Sequence, residues 1–115
     1  MSNFQSIRKF EYRRSRIKGG FNVDFIAEGE TFHGLCSDIS DAGIRAEFDG
    51  PIVVGSSGLL ILRHPARVLK LEARVSHFDK GQAGLIFLFK SPVECGLAVG
   101  FIAEMASRTA LARQR

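Results

Sequence analysis

The stretch Phe21-Asn22-Val23-Asp24-Phe25-Ile26-Ala27-Glu28-Gly29-Glu30-Thr31-Phe32-His33-Gly34-Leu35-Cys36 decides the fold. Phe21, Val23 and Phe25 alternate with Asn22 and Asp24, the period-two pattern of a strand with one buried face. Glu28-Gly29 interrupts it as a two-residue turn. Folding the chain about that turn sets Phe25 opposite Phe32, Val23 opposite Gly34 and Phe21 opposite Cys36. Apolar side chains meet throughout, so this register buries one face and leaves the other wet. Continued toward the N-terminus, the same register places Ile17 opposite Ser40 and brings Arg16 beside residues 38–43.

Further strands are predicted at 44–48, 59–63, 68–78 and 83–89. In the longest, Leu71, Ala73 and Val75 face one way while Lys70, Glu72 and Arg74 face the other, as in an antiparallel strand with a solvated side. The breaks fall at Asp49-Gly50-Pro51, Gly55-Ser56-Ser57-Gly58 and Lys80-Gly81. Short strands so punctuated predict a mainly β fold, a small antiparallel barrel of about six strands that closes its own edges. Ser91-Pro92-Val93-Glu94 then supplies an N-cap, a proline at the first helical position and a capping-box glutamate, predicting a C-terminal helix over 91–112. The run Cys95-Gly96-Leu97-Ala98-Val99-Gly100-Phe101-Ile102-Ala103 is apolar nearly all round and needs a cover. One cover is the barrel itself, with Gly96 and Gly100 allowing close approach; the other is a dimer or partner surface.

The chain has 115 residues, 45% of them hydrophobic, enough for one modest core. Its net charge of +4 is unevenly placed. Residues 1–20 hold Arg8, Lys9, Arg13, Arg14, Arg16 and Lys18 against Glu11 alone, a net +5. Such like charge with few apolar groups predicts a flexible basic arm over 1–20 ahead of a single domain over 21–115. No apolar run reaches the ~20 residues a bilayer needs, and the N-terminus lacks the apolar core of a secretion signal, so a cytoplasmic protein without membrane insertion is expected. Cys36 and Cys95 make neither a disulfide framework nor a metal site.

The chemistry concentrates in Arg13-Arg14-Ser15-Arg16 and Asp38-Ile39-Ser40-Asp41-Ala42-Gly43, with Asp38 lying 22 positions after Arg16. A guanidinium can stack on a purine or bond bidentately to guanine O6 and N7, and an aspartate can accept from the N–H groups on the opposite edge of guanine. Ser40 adds a small donor. Gly43 ends the turn without a side chain, so backbone can approach a phosphate. Arg13, Arg14, Arg16, Asp38, Ser40 and Gly43 are therefore the candidate binding residues for a guanine nucleotide. The plain alternative is a solvated basic run followed by an ordinary polar loop.

This pairing resembles the PilZ family, whose members carry an N-terminal R-x-x-x-R segment and a D/N-x-S-x-x-G turn. Asp38, Ser40 and Gly43 match the turn in full, and the resemblance covers roughly residues 8–90. Four positions before Arg16 stands Tyr12, so Arg13 or Arg14 takes the place of the family's first arginine. The resemblance implies a bacterial second-messenger receptor that binds cyclic di-GMP, needs no cofactor, and signals to a protein effector.

Other chemistries are poorly served. Residues 38–49 would make a calcium loop only with an oxygen ligand at Ala42 and a glutamate at Asp49. His33, His64 and His77 share no metal-ligand spacing, and no nucleophile or acid–base signature is present, so an enzyme is not expected. Two further alternatives are a basic barrel for single-stranded nucleic acid and a PilZ-like adaptor without nucleotide. The first is favoured by a sequence pI near 9.5 but has one Tyr and no Trp to stack bases on.

Overall fold

The computed structural model describes residues 17–65 and 67–113. Seven strands are found among them: β1 Ile17–Lys18, β2 Asn22–Ala27, β3 Glu30–Ile39, β4 Gly43–Phe48, β5 Ser57–His64, β6 Arg67–Asp79 and β7 Gln82–Phe87. One helix, α1, spans Pro92–Arg113. Six strands close on themselves in the order β3-β2-β5-β6-β7-β4, with β4 pairing back onto β3 and every pairing antiparallel. The short β1 adds to β3 beyond the end of β2. Closure removes the exposed edges that an open sheet of this size would present.

The first hairpin has the expected register, with Phe25 opposite Phe32 and Val23 opposite Gly34. Its turn residues have φ of 53° at Glu28 and 79° at Gly29, the left-handed pair of a type I′ turn, whose twist matches that of the flanking strands. The hairpin β6–β7 repeats the device at Lys80 and Gly81, with φ of 54° and 84°. Inward positions of the strands fill the barrel with Val23, Phe25, Leu60, Leu62, Leu71, Ala73, Val75 and Leu85, all buried. Lys70, Glu72 and Arg74 alternate with them on the wet side.

The register does not continue past Phe21. Cys36 N–H donates to the Phe21 carbonyl at 2.9 Å, yet Gly20 N–H donates to the Cys36 carbonyl at 2.7 Å, so two residues oppose one. Gly20 has φ +90°, a conformation that glycine adopts without a Cβ penalty and that opens a bulge here. Register slips by one residue. Ile17 therefore stands opposite Ile39, and Lys18 opposite Asp38, in place of the expected Ile17–Ser40 pair.

The helix starts as expected: Glu94 N–H donates to Ser91 Oγ at 3.4 Å, while the Glu94 carboxylate reaches back to Lys90 N–H at 2.8 Å. It packs across one mouth of the barrel. Ala98, Phe101, Ile102 and Met105 form its buried face. The Phe101 ring meets Phe21 edge-on at 5.8 Å and His64 at 6.2 Å, and Arg67 Nε lies 3.4 Å from Glu104. Gly96 and Gly100 play no part in this contact. Both are exposed, with open space where a Cβ would stand, so close approach is not their reason. Val93, Leu97 and Val99 share the exposed surface of the helix with them.

Candidate functional site

The turn over residues 38–43 lies at the same mouth that α1 crosses, where β3 ends and β4 begins. Its backbone is tied down on all sides. Ser40 N–H donates to the Gly43 carbonyl at 2.9 Å, Ala42 N–H donates to Ser40 Oγ at 3.2 Å, and Phe87 N–H donates to the Ala42 carbonyl at 2.9 Å. Ser40 is fully buried, and its hydroxyl closes a local turn with its own neighbour two residues on. Gly43 faces β7 so closely that a Cβ would run into the Leu85 carbonyl. Its φ is not left-handed; the missing side chain is needed for strand approach.

Asp38 is aimed by a second bulge. Against β4 the register shifts between Cys36 and Asp38, leaving Ser37 as the extra residue. Without that insertion Cys36 and Asp38 would share a face. With it, Cys36 and Ile39 point into the core while the Asp38 side chain stays partly exposed. Both bulges meet at Cys36. Its thiol donates to the Asp38 carbonyl at 3.3 Å, and burial, with the Asp38 charge adding, pushes its pKa up to about 12. Cys36 is thus a protonated structural thiol under the turn.

Asp38 has a basic residue as its register partner on each neighbouring strand. Lys18 is its partner on β1. Arg45 is its partner on β4, with Nη1 3.8 Å from the Asp38 carboxylate and the guanidinium half exposed. Arg45 was not among the candidates from sequence. The signal that identifies it is the tight 40–43 turn, which fixes Ile39 opposite Ile44 and hence Asp38 opposite Arg45. Of the predicted site residues, the structure therefore brings Asp38, Ser40 and Gly43 into one turn. Arg13, Arg14 and Arg16 lie outside the described residues. The chain enters β1 from the Ser40 side, immediately next to this turn.

Asp24, on the outer wall of β2, offers a contrast. Its carboxylate takes His33 Nδ1 at 2.7 Å and Arg63 Nε at 2.8 Å. Burial raises its pKa, but the hydrogen bonds from Arg63 and His33 outweigh this and hold it below the usual carboxylate value. Among the described residues no group of three or more His, Cys, Asp and Glu side chains is placed to hold a metal ion, and no helix is long and apolar enough to cross a membrane.

A closed antiparallel barrel with a polar turn and a helix at one mouth is the fold of the PilZ domains. The PilZ domain with c-di-GMP of YcgR from Escherichia coli superposes with a TM-score of 0.73 over 87% of this chain and 95% of that one, at 14% identity. The PilZ domain of CeSA from a cellulose-synthesizing bacterium gives 0.69 over 79% and 97%, also at 14% identity. The PlzA protein of Borreliella burgdorferi, in complex with c-di-GMP, gives 0.53 over 91% and 57%, at 16% identity. The chain matches no family model and no curated protein.

Proposed function

We propose that this protein is a cyclic di-GMP receptor of the bacterial cytoplasm, without catalytic activity, which passes the signal to a protein effector. One observation carries the reading: Asp38, Ser40 and Gly43 form a single rigid turn, and the Arg13-to-Arg16 segment feeds into the strand that pairs with Asp38. Structures of the same fold with c-di-GMP support it. Asp38 accepts from guanine, the arginines engage guanine or phosphate, and Arg45 adds a further cation at the rim. The two ligand phosphates offset repulsion within the basic arm, so binding orders residues 8–16, ahead of the already paired β1 and Gly20, against the barrel and creates the surface that an effector reads.

Calorimetric titration with cyclic di-GMP, with cyclic di-AMP and GTP as controls, tests the reading. Saturable heat with cyclic di-GMP alone is expected, and none would sink the proposal. Arg16→Ala weakens binding by about 1 to 3 kcal/mol, the scale of a good bidentate contact, and Arg13→Ala and Arg14→Ala each weaken it too. Amide exchange with and without ligand separates binding from arm ordering. Protection should rise at residues 8–16 and 38–43 and hardly at all in β5 and β6; an arm already protected over 8–16 without ligand would remove ordering as the signal.

A further inference from the structure

The barrel end remote from the 38–43 turn carries a cleft of about 310 Å³. Ala27, Glu28, Glu30 and Phe32 of the first hairpin line one side, and Val53 and Ser56 of the loop between β4 and β5 line the other. Val53 is 75% exposed and Val54 is 54% exposed. This display is fixed in place. Ser56 donates through both its N–H and its Oγ to the Val53 carbonyl, at 3.1 and 2.6 Å, and Gly55 N–H and the Ser56 carbonyl pair with Val75 at 2.8 and 2.9 Å. Val53, held by this hydrogen-bonded loop beside the half-buried Phe32, gives the cleft a small apolar floor within a lining that is about half polar.

Its rim is acidic. Glu28 and Glu30 border the cleft, are exposed, and have no ion-pair partner among the described residues. Asp49 and Asp79 lie at the same end, against Lys80. The matching occupant is cationic with apolar anchors. One segment of this chain has that chemistry: Phe4, Ile7 and Phe10 recur every third residue around Arg8 and Lys9.

The chain length between that segment and β1 tells against its own cleft. The chain enters β1 from the Ser40 side and runs toward the Glu30 end of β3, so its first paired residue, Ile17, stands at the end of β3 remote from the cleft. The cleft lies nine residues back along β3, roughly 30 Å at the strand rise. Ten residues join Ile7 to Ile17, about 33 Å when fully extended, which leaves no length for reversing direction. A neighbouring molecule's cleft has no such restriction.

We propose that residues 4–10 of one copy dock in the Ala27–Phe32–Val53 cleft of a second copy, apolar anchors on the floor and Arg8 and Lys9 against Glu28 and Glu30. A labelled peptide of residues 1–16 is titrated into the full chain by fluorescence anisotropy. Saturable binding is expected, reduced at least about tenfold by Glu28→Lys with Glu30→Lys and by Val53→Asp. All three positions are exposed, and circular dichroism confirms folding of the variants. In parallel, sedimentation equilibrium of the intact chain should show concentration-dependent association that the same variants abolish. No peptide binding, equal binding by a peptide with Ser at positions 4, 7 and 10, or a monomer at every concentration overturns the proposal. The cleft and the 38–43 turn lie at opposite ends, so failure here leaves the nucleotide reading standing, and the reverse holds too.

Discussion

Two turns at opposite ends of the barrel solve the same problem differently. Residues 28–29 reverse the chain through two left-handed residues in open space, with no neighbour near the Gly29 Cβ position. Residues 40–43 reverse it with a buried hydroxyl, a cross-turn hydrogen bond and a glycine pressed on the next strand. The first turn is defined by its own dihedral angles; the second is defined by what surrounds it. For the proposed nucleotide site the second solution is an advantage, because a turn held by its surroundings before ligand arrives leaves less ordering cost to binding.

The sharpest test of this contrast exchanges each glycine for alanine. At Gly43 the new methyl collides with backbone of β7, which cannot yield like a side chain, so Gly43→Ala should lower the stability of the fold by about 3 kcal/mol. At Gly29 only the left-handed conformation is penalised, and Gly29→Ala should lower it by about 1 kcal/mol. Urea denaturation reads both. Equal losses would mean that the two turns are held alike.

Ser40→Ala comes next. It strips the Ala42 N–H of its acceptor in a partly buried setting, an expected loss of about 1 kcal/mol in stability. If the urea midpoint is unchanged while cyclic di-GMP affinity falls, the hydroxyl serves the ligand and not the turn.

Asp24 sets the small end of the scale. Its folded-state pKa is depressed by Arg63 and His33, so its contribution is present above the unfolded carboxylate value near 4 and is lost as pH falls through the lower folded value. Asp24→Asn should cost under about 1 kcal/mol at neutral pH, as for a partly exposed ion pair, and less at pH 3. A constant difference across that window would show that shape, not charge, is what Asp24 contributes. Asp38, with Arg45 at 3.8 Å, is the companion variant: Asp38→Ala should abolish guanine selectivity while moving the urea midpoint little.

Much of this architecture was legible in the chain. The Phe21, Val23, Phe25 alternation and the Glu28-Gly29 turn predicted a hairpin that formed in the predicted register, because both signals are local. Ser91, Pro92 and Glu94 announced the helix start for the same reason. The bulges at Gly20 and Ser37 were not legible. Each depends on which residue of a partner strand lies opposite, and a one-residue slip leaves no trace in composition. Arg45 stayed hidden because its relation to Asp38 arises from that pairing. The helix was too uniformly apolar to declare which side faces inward, and the mouth of the barrel chose Ala98, Phe101, Ile102 and Met105.

The sequence by itself thus determined the strands, the first hairpin, the helix start and the D-x-S-x-x-G turn, all of which rest on patterns spanning a few residues. Tertiary structure alone decided that Cys36 would anchor two bulges, that Asp38 would turn outward beside Arg45, and that Ser40 and Gly43 would hold the turn. The reason is geometric. Alternation along a strand says which residues share a face, but only pairing with neighbours on both edges says where that alternation is broken, and this site is built at the break.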